Sequence, residues 1–173
     1  MIKKSHHPHR SALRHGRVSE LGYAYFITKC TLDKGTNVLV RQDCAEIIIE
    51  SLNWLKDHHI AHVCGFVIMP NHYHTVLGLA DDKTLSQTVE SVSKYTARRI
   101  NRILGQIGKF WEEGFYDHCI REQRDYDDIL EYMHGNPARN GLTEYPGSWP
   151  YSTANPKYAQ LIDWEWLGPN LRS

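Results

Sequence analysis

The sequence predicts an α+β fold built on one antiparallel sheet, and three observations predict it. Short runs rich in β-branched and aromatic residues alternate with long stretches of helical periodicity. They come in the order strand, helix, strand, strand, helix, strand, followed by one more amphipathic helix. Between the two middle strands lies only the turn pair Pro70-Asn71. That order, β-α-β-β-α-β, is the ferredoxin-like arrangement, whose sheet carries helices on one face and leaves the other for a ligand or an extra helix.

Each element has its own reason. Tyr23–Thr31 is aromatic and β-branched and reads as the first strand; Asp33–Val40 reads as a loop. From Asp43 to His59, Cys44, Ile47, Ile48, Ser51, Leu52 and Leu55 recur at helical spacing. Ile60–Met69 and His72–Ala80 read as two strands. A second helix spans about Thr84 to Leu104, with Leu85, Val89, Val92, Thr96, Ile100 and Ile103 in one stripe. Phe110–Arg121 reads as one strand or a bent pair. Asp125 is a good N-cap for a last helix that runs to about Gly135, where Asn136-Pro137 ends or kinks it.

At 173 residues the chain suits one domain with a sizeable core, and it has no apolar run long enough for a membrane span. Residues 1–17 are expected to be a flexible basic arm with Lys3, Lys4, Arg10, Arg14 and Arg17 and no acid. Residues 18–152 form the main domain, and 153–173 a tail whose Trp164, Trp166 and Leu167 suit packing back or an interface. The four cysteines form no C-x-x-C pair, which argues against a structural zinc site and suits buried thiols in a reducing cytoplasm. Net charge is zero, yet Lys94, Arg98, Arg99, Arg102 and Lys109 follow one another with no acid between them. Local clusters of this kind leave a polyanionic partner open.

Three features carry chemistry. His72 and His74 are two apart on a strand, so they project from one face and can share a divalent cation, or simply be solvated or hydrogen-bonded histidines. In the last helix Tyr126, Ile129, Leu130 and Met133 make the core stripe, while Tyr132 and Asn136 lie together to one side of it. Tyr132 is therefore either a nucleophile for a metal-bound phosphate or a partly buried surface tyrosine. Lys94, Arg98 and Arg102 make an unneutralised basic row opposite the apolar stripe, either a phosphate-binding face or a soluble one.

Four segments then meet in one resemblance. Met69-Pro70-Asn71-His72-Tyr73-His74-Thr75-Val76-Leu77 resembles the "MPNHxHLLL" strand of the HUH single-tyrosine transposases, especially the REP-associated tyrosine transposases of bacteria. Phe110-Trp111-Glu112 with Phe115-Tyr116-Asp117-His118 and Ile120-Arg121 resembles the strand before their tyrosine helix. Tyr132-Met133-His134-Gly135-Asn136-Pro137-Ala138-Arg139-Asn140-Gly141-Leu142 resembles "YIHxNPVRAGLV", and Trp149-Pro150-Tyr151-Ser152 resembles "WPWSS".

The resemblance implies a catalytic domain in which His72 and His74 hold Mg²⁺ or Mn²⁺, Asn136 supplies a third ligand and Tyr132 is the nucleophile. It implies cleavage and rejoining of single-stranded DNA near hairpins through a 5′-phosphotyrosine link, in a bacterial cytoplasm, nucleoid-associated when bound to DNA. A homodimer whose tyrosine serves the partner's histidines is among the assemblies it allows. Lys94, Arg98 and Arg102, with Arg14 and Arg17 of the arm, are the expected DNA contacts. Two departures stand out: Tyr73 occupies a usually apolar position, and Asn140 replaces the commoner Ala, a change expected to affect only a loop. The rivals are a 2H-type phosphoesterase, for which only His9-Arg10-Ser11 has the needed form, and a relative that binds hairpin DNA or RNA without cutting. For an RNA-binding sheet, Tyr23, Tyr25 and Tyr73 would be the stacking aromatics.

Overall fold

A computed structural model describes residues 20–80 and 83–171. Its strands are β1 (Ala24–Cys30), β2 (Ala61–Met69), β3 (His72–Leu79) and β4 (Tyr116–Ile120). Its helices are α1 (Gln42–Asp57), α2 (Leu85–Leu104), α3 (Gln123–Arg139) and α4 (Trp164–Asn170). The sheet order is β2-β3-β1-β4 and every pairing is antiparallel, which is the order the ferredoxin-like reading requires.

Period two along the strands sorts the core into two layers. On one face Tyr25, Ile27, Val63, Phe66, Tyr73 and Leu77 meet the apolar stripes of α1 and α2. On the other, Ala24, Phe26, Cys64, Val67, Val76 and Ile120 meet Tyr126 and Met133 of α3 and Leu167 of α4. The second face is thus covered, and the tail folds back: Trp166 stacks on His62 with ring centroids 4.9 Å apart. Tyr25 and Tyr73 are buried under α1 and α2, so neither is a stacking platform for bases.

α2 is fixed at both ends. Thr84 and Gln87 form a capping box, and Gly105 closes the helix in the left-handed region. Its basic face differs from the expectation: Glu90, one turn before Lys94, holds that ammonium at 2.8 Å, so the row is partly neutralised. Ile103 leaves the apolar stripe and is exposed.

α3 also departs from its predicted bounds. Glu122 is the N-cap, and Asp125 sits in the first turn, where its carboxylate meets His118 Nε2 at 2.8 Å. The helix passes through Pro137 to Arg139. A proline so close to the end removes only one late hydrogen bond, and Pro137 itself is buried. Of the predicted strand over 110–121 only Tyr116–Ile120 joins the ladder, with Trp111 making an isolated bridge to Thr31. The intervening turn is gripped by buried Lys29, which donates to the carbonyls of Glu112 and Gly114 at 2.6 and 2.7 Å.

The close seat of α3 depends on Gly65, where β2 bulges against β3. Its φ is +147°, and a Cβ there would stand 2.9 Å from both Leu130 Cδ1 and Met133 Cε. A side chain there would be strained by the backbone and would have to push aside the tips of Leu130 and Met133. The outer edge of β2 is covered in turn by residues 151–153, through Ile68 N–H to Tyr151 O at 2.9 Å and Thr153 N–H to Phe66 O at 3.0 Å.

Candidate active site

β3 delivers the two histidines to the α3 face. Their rings lie 4.7 Å apart at 75°, and His74 stacks on Phe26 at 5.2 Å, while Tyr73 points to the other layer against Trp111. The one-face prediction for His72 and His74 holds. His74 is only 4 % exposed, because α3 closes over it, so it is not a solvated histidine.

Hydrogen bonds fix which nitrogen each ring offers. His72 Nδ1 meets Asn71 Oδ1 at 2.8 Å, an acceptor, so that nitrogen carries the proton. His74 Nδ1 meets Thr28 Oγ1 at 2.8 Å, and Asn136 Nδ2 donates toward His74 Nε2 at 3.0 Å. Both Nε2 atoms thus keep their lone pairs, the state in which imidazole binds metal. Burial, with Lys34 adding to it, pushes the His72 pKa down to about 4. Burial, then His72 and then Arg139 push His74 to about 3. Both rings are neutral at physiological pH.

α3 supplies the rest. Tyr132 is half exposed and lies over His74, ring centroids 5.9 Å apart, and against Phe26 at 6.4 Å. One turn on, Asn136 is buried, its Oδ1 accepting from Asn140 Nδ2 at 2.8 Å. Asn140 therefore touches the candidate ligand and is more than a loop change. Turning the Asn136 amide over would bring Oδ1 toward His74 and give up that bond. Arg139 donates to the Tyr132 carbonyl and its guanidinium carbon stands 4.9 Å from the Tyr132 ring centroid.

Among the described residues no group of three or more His, Cys, Asp or Glu could hold a metal ion. Two imidazole nitrogens and one amide suit a divalent cation whose remaining positions are filled by oxygens from elsewhere. The residues present fit such an ion.

His72, His74, Tyr132 and Asn136 are thus brought together within one chain. Lys94, Arg98 and Arg102 are not with them, since α2 covers the opposite face of the sheet. Arg14 and Arg17 lie outside the described residues. Sequence reasoning missed Phe26 and Thr28 as the floor and anchor of His74. Their only signal is register, which sets Thr28 opposite His74 across β1 and β3.

A tyrosine over a histidine pair on a four-stranded antiparallel sheet is the arrangement that the resemblance to the transposases implies, and comparison with known proteins places the chain in a transposase family. Residues 26–136 match the family described as IS200-like transposases, and the chain belongs to that family. It is 24 % identical over 150 residues to the REP-associated tyrosine transposase of Escherichia coli K12, covering 85 % of this chain and 86 % of that one. A Haemophilus influenzae protein assigned to the same group is 24 % identical over 163 residues, covering 87 % and 92 %. The fold matches a solved REP-associated tyrosine transposase bound to a REP hairpin, with TM-score 0.68, 20 % identity and 86 % of each chain covered. No helix among the described residues is long and apolar enough to cross a membrane.

Proposed function

We propose that the chain is a metal-dependent single-strand DNA endonuclease and strand transferase that cuts and rejoins DNA beside hairpins, with Tyr132 as nucleophile. The observation that carries this is the register of α3, which sets Tyr132 and Asn136 over His74 in the same chain. All four residues come from one chain, which supports a site assembled within a single subunit.

His72 and His74 Nε2, with Asn136 after its amide turns, would hold Mg²⁺ or Mn²⁺. When bound, such an ion polarises a phosphodiester and compensates the charge that develops on it. The chain's own residues do the rest. Phe26 and His74 support the Tyr132 ring, and Tyr132 Oη attacks phosphorus. The new bond is a 5′-phosphotyrosine; the bond that breaks is to the 3′ oxygen, which takes up a proton as the phenol gives one up. One phosphodiester replaces another, so a 3′-hydroxyl can reverse the step without a nucleotide cofactor. The neighbour bound to a REP hairpin supports a hairpin-containing substrate, and the proposed setting is the bacterial cytoplasm, on the nucleoid when bound to DNA.

The test is a denaturing gel after incubation with Mg²⁺ or Mn²⁺ and single-stranded DNA hairpins from the gene's own flanks. A covalent adduct is expected from the unaltered chain, from Tyr95→Phe and from Tyr116→Phe, and none from Tyr132→Phe. Hairpin binding without any adduct would mark a non-cutting relative. Mapping of the linked nucleotide to another tyrosine would move the nucleophile.

A further inference from the structure

Among the described residues, Arg139 is the cation that lies against the Tyr132 ring. It lies seven residues beyond Tyr132, on nearly the same side of α3, and its side chain runs back along the helix to reach the Tyr132 ring. What makes room is Gly135: a Cβ there would stand 2.4 Å from Arg139 Nη1. Among the described residues no carboxylate pairs with Arg139, whereas Lys34, Lys94 and Arg99 each have one.

The surroundings sharpen the point. The guanidinium stands against the phenol ring, its carbon 4.9 Å from the Tyr132 centroid. Of its five N–H donors the described contacts use one, on the Tyr132 carbonyl. The others form a planar fork of the shape that receives two phosphate oxygens.

We propose that Arg139, given its place by the missing side chain of Gly135, is a phosphate-binding catalytic residue that grips the non-bridging oxygens of the phosphodiester presented to Tyr132. The inference rests on the nuclease reading above. Phosphorus approached by the Tyr132 oxygen becomes five-coordinate and its non-bridging oxygens gain charge. A guanidinium already at the ring strengthens its hold as that happens, which lowers the barrier rather than only aiding binding. No proton leaves Arg139 during the step.

Two measurements test it. In single turnover at saturating hairpin DNA, Arg139→Ala should slow adduct formation by ~10²–10³-fold, the usual effect of removing one oxyanion donor. Arg139→Lys should recover only part, because the fork is lost. Gly135→Ala, where the displaced atom is the far end of a flexible side chain, should slow the reaction while folding is retained. In the Tyr132→Phe background, which keeps the ring and cannot cut, and with metal removed by EDTA, a methylphosphonate at the scissile position should weaken binding when Arg139 is present and not when it is Ala. Unchanged adduct rates in Gly135→Ala and Arg139→Ala would overturn the proposal, as would equal methylphosphonate penalties with and without Arg139. An unaltered chain that formed no adduct but still showed the Arg139-dependent penalty would sink the nuclease reading and leave the phosphate site standing.

Discussion

Replacing Thr28 by Val tests whether His74 is prepared as a ligand before any metal arrives. The change keeps the branched shape and removes the oxygen that fixes the His74 Nδ1 proton at 2.8 Å. With that anchor gone the proton can move to Nε2, and the lone pair that Asn136 now faces is lost. Removing such an outer partner usually costs ~10–100-fold in metal affinity. Here Thr28 is only partly buried, so a water can take over some of its role, and the lower end applies. We therefore expect Mn²⁺ to bind about tenfold more weakly, equivalent to ~1.4 kcal/mol. Titration calorimetry with Mn²⁺ reads this directly, with thermal unfolding as a control for the loss of about 1 kcal/mol from one hydrogen bond. Unchanged Mn²⁺ affinity in a folded Thr28→Val protein would refute the argument that this tautomer matters.

Asn140→Ala, which installs the commoner family residue, frees Asn136 Oδ1 from its 2.8 Å bond and should raise Mn²⁺ affinity in the same titration. Arg98→Ala and Arg102→Ala should each lower the salt slope of DNA binding by about one, and Lys94→Ala by less because Glu90 already holds it; equal slopes in all four proteins would return the row to solvent. Acid should unfold the protein early. Burial holds His72 and His134 near 4 and His74 near 3, below the ordinary value of 6.5, so the unfolded chain takes up protons that the folded one refuses. Stability is then full above pH 6.5 and falls as pH drops through the interval to about 4, by up to about 1.4 kcal/mol per pH unit for each ring. His134→Gln, which keeps a partner for Thr153, should remove one proton from that slope in urea titrations at successive pH values.

What the sequence made legible is what periodicity encodes. Alternation along 72–74 put both histidines on one face and Tyr73 on the other, and helical spacing set Tyr132 and Asn136 beside the core stripe. What it hid depends on contacts between distant segments. Nothing local says that α3 will cover His74, that Thr28 will meet it across the ladder, or that Asn140 will bond Asn136. The end of α3 was misplaced because Pro137 signals a break, whereas at the last turn it costs little and its buried ring packs. The Glu90–Lys94 pair, by contrast, is plain i,i+4 chemistry that lies just upstream of the basic run.

The two-sided layering turns the molecule into a gauge. The row of α2 and Tyr132 of α3 look outward from opposite sides of one sheet, so no straight ligand touches both. With the β2 border occupied by 151–153, the remaining border is β4, where Tyr116 and His118 stand partly exposed. A nucleic acid anchored on α2 and cut at Tyr132 would have to bend round that border. The thickness of three layers would then dictate a minimum stretch of unpaired strand between the anchored part and the point of cleavage, measured by the protein rather than read from bases.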